Sequence, residues 1–167
     1  MSSTSTTPPA APVAAVPPPA PDDTAARQAL MGVLARATLK ELQAAVERFE
    51  PLPKLRDLRP PEVGLVMVQG RAGGDGGAFN LGEATVTRAA VQVEGGATGL
   101  SYLLGRAPEK ARAAALLDAF WQDPALRIAV DDALRPVRRR LAAEDAAVAG
   151  EAAATKVNFF TMTRGED

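Results

Sequence analysis

Arginine and carboxylate side chains, with one glycine-rich run, carry almost all the polar chemistry this sequence offers. There is no histidine and no cysteine anywhere in it. A Ser-His-Asp or Cys-His centre, a thiolate or imidazole zinc site and a cysteine-ligated iron-sulfur cluster are therefore all excluded. The run GRAGGDGG (70–77) has backbone N–H groups spaced closely enough to cradle a phosphate. It matches neither G-x-x-x-x-G-K-[ST] nor G-x-G-x-x-G, and it leads into an extended segment instead of a helix, so a hairpin turn is the favoured reading. Within NLGEATVTRAA (80–90), Glu83, Thr85 and Thr87 fall on one side of a strand and Arg88 on the other, where apolar side chains are cheaper to bury. Arg88 then requires a partner: a ligand anion, a carboxylate of a neighbouring subunit, an internal ion pair or solvent. Arg106, just after Gly105, raises the same question. Arg71, Glu83, Arg88 and Arg106 are thus weak candidates for contact with substrate. Arg135, Arg138, Arg139 and Arg140 form the one dense basic cluster, but helical spacing disperses them and Glu144 and Asp145 stand close by, which favours a solvated face. Asp118, Asp131, Asp132, Glu144 and Asp145 have no calcium-loop spacing, and no metal site is expected.

The 167 residues carry 19 Lys plus Arg against 20 Asp plus Glu, a net charge of -1, so no global field favours nucleic acid or an anionic membrane. At 47% hydrophobic and 4% aromatic, the composition suits one soluble domain. Residues 1–21 contain only uncharged residues, chiefly Ser, Thr, Pro and Ala, and read as a disordered tail preceding a single domain over 22–167. The tail lacks the positive n-region and unbroken apolar core of a secretory signal, and no later run is long enough to span a bilayer. A cytoplasmic location is expected.

The elements that would position these side chains follow from periodicity. Asp22, Asp23 and Thr24 offer caps for a helix with a Leu30, Met31, Leu34, Ala35 stripe. A second short helix presents Leu39, Leu42, Val46 and Phe49 and stops at Pro51 and Pro53. Pro60-Pro61 marks a boundary. VGLVMV (63–68) reads as a central strand buried on both faces. Phe79 to Glu94 returns as the second arm of a hairpin, with a bulge or twist near 83–88 to reconcile its imperfect alternation. After Gly95-Gly96, Thr98 to Leu104 forms a further strand, for a total of three or four antiparallel strands. Helices resume at Pro108, with Ala114, Leu117 and Phe120 or Trp121 facing inward. They continue after Asp123-Pro124 with Leu126, Val130, Leu134, Val137, Leu141 and Val148, where Pro136 should kink or divide the helix. The class is α+β: an antiparallel sheet flanked by N-terminal and C-terminal helices.

The terminal KVNFFTMTRGED (156–167) looks extended and holds two of the seven aromatic residues. Val157 and Phe159 point one way, Phe160 and Met162 the other, so one face stays bare unless something covers it. Cover by the chain's own helices is one reading; a partner subunit meeting Phe159, Phe160, Met162 and Arg164 is the preferred one.

Five segments together, GLVMVQGRAGG (64–74), FNLGEATVTRAAV (79–91), GLSYLLGR (99–106), KARAAALLDAFWQD (110–123) and KVNFFTMTRG (156–165), resemble the PhnG family of carbon-phosphorus lyase subunits. The resemblance runs from about residue 24 to the end and departs at Asn158, where the family would be expected to carry aspartate. It implies a subunit of a bacterial complex for phosphonate breakdown, assembled with PhnH, PhnI, PhnJ and PhnL, two copies lying in a two-fold symmetric core. There an alkylphosphonate attacks the ribose of ATP, adenine leaves, and ribose 1-alkylphosphonate 5-triphosphate forms. The resemblance assigns the nucleosidase chemistry to PhnI and the radical iron-sulfur step to PhnJ, which leaves this chain without catalytic residues or a cofactor of its own, the ATP being used by the complex. Two alternatives come from the residues: a stand-alone anion or nucleotide-binding module using Arg71, Arg88 and Arg106, and a purely structural scaffold.

Overall fold

The computed structural model describes residues 21–73 and 76–154. The N-terminal tail and the terminal segment with Phe159, Phe160, Met162 and Arg164 lie outside the described residues. The chain runs α1 (Pro21–Arg36), α2 (Leu39–Glu47), β1 (Leu55–Arg71), β2 (Ala78–Val93), β3 (Thr98–Leu104), α3 (Pro108–Gln122) and α4 (Pro124–Ala154). The expected α+β class holds, with three antiparallel strands among the described residues, in the order β1-β2-β3.

The core lies between the sheet and α3. Thr87, Ala89 and Val91 of β2 and Gly99, Ser101 and Leu103 of β3 are buried on the helix side. Almost every residue of α3 from Ala114 to Trp121 is buried, because α1, α2 and α4 close over the faces the sheet leaves free. Phe120 meets Phe49 with ring centroids 5.1 Å apart. Gly99 is what lets α3 approach: a Cβ there would stand 1.8 Å from the Ala115 carbonyl oxygen. α2 opens on a full capping box, in which the Glu41 N–H donates to the Thr38 hydroxyl and the Glu41 carboxylate accepts from the Thr38 N–H.

Several expectations need correction. α1 begins at Pro21, so Asp22 and Asp23 occupy its first turn instead of capping it, and Ala35 is exposed while Ala37 is buried. Pro136 does not divide α4, which is one helix to Ala154. Burial of Val130, Ala133, Leu134, Val137 and Leu141 offsets the missing backbone donor. Val148 is exposed, since that packing ends at Leu141.

The larger corrections concern the sheet. VGLVMV is neither central nor buried on both faces: β2 is central, β1 is an edge, and Leu65 and Met67 are 60% and 52% exposed. An apolar run records only that a strand needs cover, not whether its own chain supplies it. Pro60 and Pro61 are no boundary, because β1 passes through them from Leu55, as an edge strand can. The register is unbroken from Gly82 to Arg88, so the bulge is not there. It falls at Leu81 in β2, and further shifts lie in β1 around Leu58 and Pro60-Pro61.

Candidate functional site

β3 pairs with β2 only from Val86 to Gln92, whereas β1 follows β2 all the way to Ala78. Beyond Thr85 the hairpin is therefore a two-stranded arm with no third strand beside it among the described residues. At the arm's base, the Thr87 hydroxyl donates to the Gly105 carbonyl at 2.6 Å and accepts from the Ala107 N–H at 3.0 Å, while the Gly105 N–H donates to the Thr85 carbonyl. These bonds satisfy the buried Thr87 and fix the turn into α3.

The sheet face turned away from α3 is apolar and open. The register places Val66, Val68 and Ala84 on it with Leu100, Tyr102 and Leu104, the last 79% exposed, around Val86, which is itself buried. Leu81 lies across Gly70, where a Cβ would come within 2.6 Å of its Cδ1. Phe79, opposite Gly70, extends the patch to the tip of the arm. Fully burying one such side chain is worth about 1.5–3 kcal/mol, so covering a patch of half-exposed residues releases several kcal/mol in sum. Contiguous apolar patches of this kind mark association surfaces.

Arg88 sits in the middle of this face. Its Nε donates to Glu62 Oε1 at 2.6 Å, and Arg59 Nη1 donates to the same oxygen at 2.9 Å. Two guanidinium groups thus share one carboxylate, leaving one positive charge in surplus. They border a shallow groove of about 570 Å³ whose other walls include Leu58, Ala90, Leu100 and Tyr102. An anionic group at the rim of an apolar contact would suit that surplus.

The four sequence candidates do not converge. Glu83, opposite Met67, falls on the side of the sheet shared with Thr85 and Thr87 and opposite to Arg88. Arg71 is at the tip of the arm, nine residues along β1 from Glu62, or about 30 Å. Arg106 is exposed in the turn before α3. Of the basic cluster, Arg135 pairs with Asp132, Arg138 with Asp131 at 2.9 Å, and Arg140 with both Glu41 and Glu144. The Arg140 bonds, with the Thr38 N–H behind them, hold the Glu41 carboxyl down to about 2. Among the described residues no three His, Cys, Asp or Glu side chains are arranged to hold a metal ion. None of their helices is long and apolar enough to cross a membrane.

Glu62 and Arg59 were not singled out by the sequence. Their signal, an acid and a base flanking a proline pair, becomes meaningful only once β1 is known to run through it. Asp118 had no assigned role either, yet it is fully buried and joins α1, α3 and β3.

Among the described residues, the sheet face and arm form the most extensive exposed apolar surface of this small α+β domain, and the polar residues singled out above do not converge beside it. The family model described as phosphonate metabolism protein PhnG matches residues 25–165, and the chain belongs to that family. It is also similar to a protein of Rhizobium meliloti (strain 1021), the alpha-D-ribose 1-methylphosphonate 5-triphosphate synthase subunit PhnG. The two are 50% identical over 143 residues, which cover 86% of this chain and 92% of that relative.

Proposed function

We propose that this chain is a subunit of a ribose 1-methylphosphonate 5-triphosphate synthase, noncatalytic by itself, which completes the assembly for phosphonate catabolism in the cytoplasm. The similarity to the Rhizobium subunit over nearly its whole length carries the reading. In the reaction a phosphonate oxygen bonds to C1′ of the ATP ribose, the bond from C1′ to the adenine nitrogen breaks, and adenine leaves with a proton. The chain has no histidine or cysteine for such a step, and its best-formed surface suits contact with other subunits. PhnH, PhnI, PhnJ and PhnL homologues are the partners, with two copies of this chain in the assembly. ATP belongs to the complex, and the chain binds no cofactor of its own. The terminal residues Phe159, Phe160, Met162 and Arg164 make contacts between subunits.

Reconstitution tests this directly. PhnH, PhnI and PhnL homologues are mixed with methylphosphonate and ATP, with and without this chain, and adenine is measured by chromatography. Adenine should form only when the chain is present, and the chain alone should release none. Full adenine release in its absence overturns the proposal.

The surplus positive charge at Arg59 and Arg88 favours one second reading, a module that binds an anion unaided. Calorimetric titration of the isolated chain with ATP separates the two, since the subunit reading expects no heat of binding.

A further inference from the structure

Edge strand β1 is guarded over only part of its length. Around Leu58 to Pro61 it carries two prolines and two register shifts, features that prevent one sheet edge from pairing with another. From Val63 to Val68 there is neither a charge nor a proline, and Val63, Leu65, Met67 and Val68 are all exposed. Such an edge offers unpaired backbone groups, with apolar β1 side chains on both faces. Its occupant must be an extended segment, apolar on both sides.

The chain contains a segment of that chemistry beyond its last described helix. Val157 and Phe159 alternate with Phe160 and Met162, and the stretch falls inside the residues that the family model matches, whereas residues 1–24 do not.

Where the segment begins decides whose edge it can reach. α4 packs on α3, α2 and α1, and α3 lies between it and the sheet. Two packing layers place the α4 axis on the order of 18–20 Å from the strands. α3 also rests mainly on β2 and β3, so β1 is farther still. Every residue from Ala142 to Ala154 is exposed, so the helix carries its end out of the body of the domain. Only Thr155 and Lys156 separate Ala154 from Val157, and three extended residues span at most about 11 Å. Measured from the layer in which α4 packs on α3, that falls short of the chain's own β1.

We propose that two copies of this chain exchange their C-terminal segments, residues 157–162 of each adding as a fourth strand to the Val63–Val68 edge of the other. Each copy gives one strand and receives one, which closes the pair with two-fold symmetry and leaves neither unguarded edge exposed. The exchange rests on the reading of Phe159 and Phe160 as subunit contacts and names the partner. Its test reads the mass of the chain alone, so failure leaves the synthase assignment, which is read by adenine release, untouched.

The measurement is light scattering behind a sizing column at micromolar concentration. The full chain should run at twice its 17.3 kDa mass. A chain ending at Ala154 should run at the single mass and still unfold in one cooperative transition, because the described core closes between Leu30 and Leu141. Leu65→Lys with Met67→Lys, both at exposed positions, should also be monomeric. Mixing the shortened chain with the Lys variant should restore a weaker dimer, since one brings an intact edge and the other an intact strand. A full chain at the single mass, a shortened chain that still dimerises, or a mixture that does not associate overturns the exchange. Capture of the segment only by a PhnI homologue, with the chain itself monomeric, overturns it too.

Discussion

Asp118 on α3 receives both hydrogen bonds of Arg27 on α1, Nε to Oδ1 at 2.9 Å and Nη2 to Oδ2 at 2.6 Å. The same carboxylate accepts the backbone N–H of Leu100 on β3 at 2.8 Å, so one buried side chain fastens a helix and a strand to the central helix. The pairing with Asp118 raises the Arg27 guanidinium above its ordinary range.

Removing Asp118 leaves Arg27 without its carboxylate and Leu100 without an acceptor. Asp118→Ala should therefore cost about 3–5 kcal/mol in urea unfolding, the usual range when one partner of a buried pair is deleted. Arg27→Met should cost less, because Asp118 keeps Leu100 and Gln122 as donors. In the double variant the two losses should fall short of their sum, as expected for residues in direct contact. Additive losses would mean that the pair is not coupled in solution.

The Glu41 to Arg140 clamp ties α2 to α4 at 2.7 and 2.8 Å. Glu41 is depressed from 4.5 to about 2, chiefly by Arg140 and then by the Thr38 N–H. A depressed folded value means that the unfolded chain takes up the proton first. The stabilisation is thus fully present above about 4.5 and is lost as pH falls toward 2. The melting temperature should drop between pH 5 and about 2.5, and Glu41→Gln should flatten that drop without abolishing it. Asp145, lowered by Arg36, titrates in the same direction and keeps a residual slope. An identical pH profile in the Gln variant would show that the clamp is not formed.

How much of this was legible depended on whether a signal was local. The turn at Gly95-Gly96, the β3 span and the start of α3 at Pro108 are set by glycines and prolines within a few residues, and the sequence pattern locates them, whereas α2 ends at Glu47, before the Phe49 that the pattern placed on its face. The place of β1 in the sheet is not local. VGLVMV has the composition of a buried central strand, and only the strand order shows that it lies at an edge with no neighbour on its outer side among the described residues. Arg88 illustrates the same limit: an internal pair was one of four open readings, and Glu62 became its partner only through a register that crosses two prolines. The buried role of Asp118 left no trace, because Arg27 is ninety-one positions away.

Arg88 separates a structural from a functional reading of the open face. Its ion pair with Glu62 is nearly half exposed, so Arg88→Lys should change stability by no more than about 1 kcal/mol. If the Arg59 and Arg88 pair meets an anionic group within the assembly, lysine keeps the charge but loses the planar fork. Adenine release by the reconstituted complex should then fall by about tenfold or more, the equivalent of one lost charge-assisted hydrogen bond. Assembly should persist. An unchanged rate with normal assembly would assign Arg88 to the surface ion pair alone.

Phe159 and Phe160 test whether the C-terminal segment belongs to an interface or to the core. The described core closes among residues from Leu30 to Leu141, with Phe120, Leu117, Leu134 and Val91 fully buried. Truncating a core phenylalanine costs roughly 3–5 kcal/mol of folding stability. An aromatic anchor at an interface commonly costs about 2 kcal/mol or more of association instead, with little effect on folding. Phe159→Ala with Phe160→Ala should therefore melt where the monomeric chain ending at Ala154 melts while association fails, both between copies and in co-purification with a PhnI homologue. The two readings differ in where the loss appears, so a melt beside a mass measurement on the same sample resolves them. A lowered melting temperature with undiminished association would place the two rings in the core of their own chain and remove the segment from the interface.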